Sequence, residues 1–114
     1  MRFISSILFT ALLAAFIALP VNAQTTGSIT GVVQDTLGAV IVGATITVVS
    51  ADSKEKTATS NQKGEFTVAG LAPGKYTVKV IAPKFALYEN TEVVVTAGKK
   101  EELFVPLTVE GVQE

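Results

Sequence analysis

The 114-residue chain predicts an all-β fold, a seven-stranded antiparallel two-sheet sandwich preceded by a signal-peptide helix. Three observations carry that prediction. From residue 24 onward, 32 of 91 residues are Val, Thr or Ile, side chains that lose rotamer freedom in helices and pack well on pleated sheets. Apolar residues recur with a period of two in short runs, and no eleven-residue window holds a clean 3.6 period. Gly, Pro and Asn bound those runs.

The first element is an address segment. Residues 1–23 read MRFISSILFTALLAAFIALPVNA, with Arg2 as a positive start and an apolar run from Ile7 to Leu19 broken only by Thr10. Pro20 ends the helix, and Val21-Asn22-Ala23 fits a small-residue cleavage rule. The run is shorter than the roughly 20 residues of a membrane span, so 1–23 is read as a cleaved signal peptide and 24–114 as one exported domain. No Cys follows the apolar run to accept a lipid. A mean hydropathy of +0.48 is raised by this leader.

Seven strands are expected after it, with one face of each turned inward. Ser28–Asp35 aligns Ile29, Gly31 and Val33. Ala44–Ser50 aligns Ala44, Ile46 and Val48 against Thr45 and Thr47. Lys56–Ser60 is short. Glu65–Ala69 presents Phe66 and Val68. Gly74–Ala82 alternates Tyr76, Val78 and Val80 with Thr77, Lys79 and Ile81. Glu89–Thr96 offers Val93 and Val95, and Lys100–Val109 offers Leu103, Val105, Leu107 and Val109. Pro106 puts the last strand on a sheet edge, because proline has no N–H for a ladder.

The connections follow from turn chemistry. Asn61-Gln62-Lys63-Gly64 reads as a tight hairpin turn, with Gly64 at positive φ. Ala72-Pro73-Gly74 reads as a type II turn, and Ala97-Gly98-Lys99 joins the last two strands.

Composition removes several kinds of function. The chain has no His, no Cys and no Trp, and Arg2 is its one Arg. His-based catalysis, thiol nucleophiles, thiolate metal sites and disulfides are therefore excluded. Residues 24–114 carry eight Lys against ten acids, a net charge of -2. No basic surface is expected to hold a nucleic acid or an anionic membrane. The nearest carboxylate pairs, Glu101-Glu102 and Asp52 with Glu55, read as solvated strand ends and turns. Asp35 and Asp52 lack the D-x-D-x-D spacing of a calcium loop, so neither a metal nor a cofactor is expected.

At this point the residues resemble a known family. Ile29-x-Gly31-x-Val33-x-Asp35, then Gly38-Ala39 and Gly43-Ala44-x-Ile46, is similar to the opening of the carboxypeptidase regulatory-like domain. Thr59 to Val68, with Gly64-Glu65-Phe66, resembles its D-x-x-G-x-F segment, and Leu71-Ala72-Pro73-Gly74-Lys75-Tyr76 resembles its L-x-P-G-x-Y segment. The resemblance spans about residues 28 to 109. It implies a transthyretin-like or immunoglobulin-like sandwich in which Gly31, Asp35, Gly43, Gly64, Phe66, Pro73, Gly74 and Tyr76 shape turns and core. The Tyr76 hydroxyl is expected to bond backbone near the corner, as in immunoglobulin-like sandwiches. Asn61 stands where the family usually has Asp, Val42 where a Pro is common, and Lys84 where Gly usually precedes Phe85.

The resemblance implies an appended module rather than a peptidase. Similar transthyretin-like hydrolases use His and Arg, which residues 24–114 lack. Similar pilus domains form a Lys–Asn isopeptide bond from a first-strand Lys, and residues 24–53 contain no Lys. The expected function is a non-catalytic accessory or interaction module, periplasmic, outer-membrane-associated or extracellular. Such a domain after a signal peptide resembles the N-terminal extension of TonB-dependent outer-membrane receptors, with the tail resembling the run toward a plug domain. A truncated or stand-alone relative is expected, whose partner is a protein or envelope component. The other expectation is a carbohydrate-binding module. Candidate surfaces are the loop with Val40, Ile41 and Val42, whose alternative role is to cover the open end of the sandwich, and Tyr88 beside Phe85.

Overall fold

The computed structural model describes residues 25–111. The expected signal peptide and its expected cleavage point lie outside the described residues. Seven strands follow one another: β1 (Gly27–Asp35), β2 (Thr45–Ser50), β3 (Glu55–Thr59), β4 (Glu65–Leu71), β5 (Gly74–Ile81), β6 (Tyr88–Val95) and β7 (Lys100–Leu107). They form a three-stranded sheet in the order β4-β1-β7 and a four-stranded sheet in the order β3-β2-β5-β6.

The alternation seen in the sequence sets the faces. Ile29, Val33, Ala44, Ile46, Val78, Val80 and Val105 are fully buried between the sheets, and Val48, Phe66, Val68, Leu71, Tyr76, Val93, Val95 and Leu107 complete the core. Burying each Val, Ile, Leu or Phe among them contributes about 1.5–3 kcal/mol, which is what holds so small a domain together without disulfides. Gly31 interrupts the inward face of β1 for a steric reason. A Cβ there would fall on the Leu103 carbonyl oxygen and within 2.8 Å of the Phe66 ring. The glycine thus makes the space into which the Phe66 ring packs.

One pairing differs from the antiparallel expectation. β1 and β7 run parallel, with Ser28 opposite Lys100 and Asp35 opposite Leu107. The cause is the crossing from β6. Gly98 N–H donates to Thr26 O at 2.9 Å and Ser28 N–H to Lys99 O at 3.1 Å, so β7 begins where β1 begins. The other strand pairs are antiparallel.

The Ser28–Lys99 bond also fixes the phase of the parallel ladder. Even-numbered residues of β1 turn their N–H toward β7, and odd-numbered residues of β7 turn theirs toward β1. Pro106 therefore faces the open edge, where its missing N–H removes no ladder bond. The edge position expected for the last strand is the observed one.

Two turns and the end of the last strand differ from expectation. The Asn61–Gly64 turn is an arch between sheets rather than a hairpin, since β3 and β4 belong to different sheets. Gly64 does adopt positive φ, 74°. The Ala72–Gly74 turn is not type II, because Gly74 sits at φ 151° instead of the roughly +80° that type II needs. The left-handed residue lies earlier, at Gly70 with φ 71°, in the irregularity where the β1–β4 register shifts before Leu71 pairs with Gly27. Val109 falls past the end of β7 and is exposed rather than inward, forming an isolated bridge with Phe85.

Candidate functional site

The family-like positions are mostly fasteners. The Asp35 carboxylate accepts from Leu37 N at 2.8 Å and Ala39 N at 2.9 Å, closing the start of the β1–β2 loop. Asn61 Oδ1 accepts from Lys63 N at 2.9 Å and Glu65 N at 3.0 Å. Only an acceptor oxygen is used there, so Asn serves where the family has Asp. Tyr76 is buried and its hydroxyl donates to Ala72 O at 2.6 Å, as the corner analogy predicts. Gly43 ends the first loop, and Pro73 and Gly74 bend the chain from one sheet to the other.

Ser60 is a functional position for the fold that sequence reasoning passed over. It is the one buried polar residue among those described. Its hydroxyl donates to Ile41 O at 2.7 Å and accepts from Ala44 N at 2.9 Å. Its backbone accepts from Gly43 N and donates to Ala44 O, each at 3.0 Å. One residue thus ties the end of the β1–β2 loop to the end of β3. A small polar residue closing a weak strand gives no signal of this.

The loop carrying Val40, Ile41 and Val42 divides. Ile41 packs against the core and donates its N–H to Val33 O at 2.9 Å, covering the open end. Val40 and Val42 stay exposed, beside the almost fully exposed Leu37. Tyr88 is half-buried and packed against the core, as is Phe85, so neither ring is a free platform.

The surface carries open depressions. One, of about 390 Å³, lies at the end of the sandwich between the β2–β3 and β4–β5 connections. Its lysines are engaged: Lys56 Nζ donates to Ala69 O and Gly70 O, Lys54 faces Asp52 at 3.8 Å, and Lys75 faces Glu92 at 3.1 Å. In the same turn the Ser50 hydroxyl donates to Asp52, which holds that carboxyl below its ordinary value of 3.8.

Another, of about 510 Å³, lies on the outer face of the three-stranded sheet, its lining including Thr30, Val32, Glu65, Glu102 and Phe104. Register places Thr67, Thr30 and Glu102 in one row across the strands, and Glu65, Val32 and Phe104 in the next. The Thr30 hydroxyl donates to Phe66 O at 3.0 Å and lies 3.2 Å from the Thr67 hydroxyl. Phe104 is 60% exposed, the one aromatic ring offered to solvent among the described residues. The sequence signal was its phase: Phe104 sits opposite the inward run Leu103, Val105 and Leu107.

Among the described residues no group of three or more Asp or Glu side chains is placed to hold a metal ion. Every buried side-chain polar atom among them has a partner.

Comparison with known proteins places this geometry. No curated protein matches the chain. Similar solved structures include a Bacteroides uniformis protein provisionally assigned as carbohydrate binding (TM-score 0.59, 20% identity, 71% of this chain and 40% of that one). The minor pilin of Streptococcus agalactiae is similar with TM-score 0.61 and 11% identity, over 80% of this chain and 48% of that one. Hydroxyquinol 1,2-dioxygenase from Pseudomonas putida is similar with TM-score 0.61 and 10% identity, over 79% of this chain and 58% of that one. The chain thus spans about half the length of these three proteins. Three such different proteins at these identities show a shared sandwich and nothing finer. The carboxypeptidase regulatory-like domain model matches residues 28–108, and the chain belongs to that family.

Proposed function

We propose that this chain is an exported, non-catalytic accessory or interaction module, related to the N-terminal extension of TonB-dependent outer-membrane receptors. The observation that supports it is where the polar chemistry lies. The interior is hydrocarbon apart from two hydroxyls, Ser60 Oγ and Tyr76 Oη, both bonded to backbone. The described Lys and Glu side chains are all exposed. Groups that do chemistry in sandwich enzymes sit in desolvated clefts that shift their pKa, whereas here the polar groups lie on solvated faces suited to contact. Residues 1–23 supply the export signal, and the partner is a protein or another envelope component. The test is removal of the gene: a defect in outer-membrane uptake or envelope assembly is expected, and unchanged uptake and assembly count against the reading.

A second reading is a carbohydrate-binding module. The likeness to the Bacteroides uniformis protein and the groove holding Phe104 favour it. Retention on a polysaccharide affinity gel tests it, and free migration on every gel removes it.

A further inference from the structure

We propose that the outer face of the three-stranded sheet is the ligand site of the second reading, and that it takes a neutral oligosaccharide with one sugar ring stacked on Phe104. The inference rests on that reading and gives it a location other than Tyr88, which is packed against the core.

The face has the mixed character that a sugar requires. A pyranose presents a C–H face and a rim of hydroxyls, so its site combines an exposed ring with a few polar groups at the sides. Phe104 supplies the ring, and Val32, its neighbour across the pair, extends the apolar floor. Glu65 stands on the far side of Val32 in the same row, and Glu102 stands in the row beside Phe104. Strand spacing puts Glu65 about 9.5 Å from Phe104 across the sheet and Glu102 about 6.8 Å from it along β7. Each carboxylate accepts strong hydrogen bonds from hydroxyl donors. The Thr30 and Thr67 hydroxyls, 3.2 Å apart, add acceptor lone pairs between them.

The same layout discriminates among ligands. Two carboxylates repel an acidic glycan. No ion pair among the described residues involves Glu65 or Glu102, so both are free to accept from a ligand. They occupy opposite corners of the two rows, too far apart for one ammonium group to bridge, whereas a sugar distributes its donors around a ring. The face is also preformed. Its floor is β-ladder, and Gly31 beneath it is locked by the Phe66 ring and the Leu103 backbone. Little ordering entropy is lost on binding.

The experiment is a ¹H–¹⁵N NMR titration of the protein with cellohexaose, xylohexaose and maltohexaose at millimolar concentration, with a lysine hexapeptide as control. At least one oligosaccharide is expected to shift the amides of Thr30, Val32, Glu102 and Phe104. Phe104→Ala is expected to weaken that binding about tenfold or more while leaving the remaining spectrum unchanged, with Phe104→Trp retaining it. Glu102→Gln is expected to weaken it about fivefold. Sugar binding that maps elsewhere and survives Phe104→Ala overturns the site and leaves the carbohydrate reading standing. Shifts with the lysine peptide alone, or with no ligand at all, overturn both.

Discussion

The Tyr76 hydroxyl donates to the backbone carbonyl of Ala72, four residues earlier, at 2.6 Å. The bond spans the connection by which the chain leaves the three-stranded sheet after Leu71 and enters the other at Gly74. The ring is buried while its oxygen reaches the turn, so one side chain joins the core to the corner. Tyr76→Phe keeps the packing and loses the bond, and is expected to lower unfolding free energy by about 1 kcal/mol. Urea denaturation checks this; an unchanged midpoint would show that the corner bond does not stabilise the fold.

Ser60 predicts a larger effect. Removing its hydroxyl leaves the Ala44 N–H and the Ile41 carbonyl without their partner in a buried setting. Ser60→Ala is expected to destabilise by about 2–3 kcal/mol. Amide exchange should show Ala44 losing protection more than the strand centres of β5, and uniform loss across the domain would contradict a local fastener.

Lys84 predicts a gain. Its φ is 72°, a left-handed conformation that places an L side chain against its own carbonyl. The family resemblance already expected glycine here. Lys84→Gly is expected to stabilise by about 0.5–1 kcal/mol, the relief of strain exceeding the added freedom of the unfolded chain. A lower thermal midpoint in the variant would contradict the assignment.

Asp52 gives a pH dependence. The Ser50 hydroxyl is the largest cause lowering its pKa, with Lys54 and backbone N–H groups adding smaller effects. A carboxyl depressed in the folded state stabilises the β2–β3 turn above its ordinary value of 3.8. That contribution is lost as pH falls through the lower folded value. Carboxyl-detected NMR is expected to place the Asp52 midpoint below 3.8, and Ser50→Ala is expected to move it upward. A midpoint unmoved by Ser50→Ala would remove the hydroxyl as the cause.

Much of the fold was legible because burial alternates along single strands. The inward set Tyr76, Val78 and Val80 and the outward set Thr77, Lys79 and Ile81 were readable without knowing any neighbour. Pairing was not legible in the same way. Nothing local in Lys100–Leu107 says that its partner is β1 or that the two run parallel; that depends on where the Gly98 turn delivers the chain. The same limit applies to the candidate site. Phe104 was passed over although it lies off the inward phase of its strand, and Glu65 and Thr30 join it only through register across three strands. Tyr88 drew attention as an aromatic in a loop-like stretch, and tertiary packing half-buried it.

The measurement that tests the central claim most directly is the intact mass of the protein recovered from separated cell compartments. An exported accessory module predicts a chain beginning at Gln24, lacking the 23 residues of the leader, in the periplasmic, outer-membrane or extracellular fraction. A chain of full length confined to the cytoplasm would contradict it.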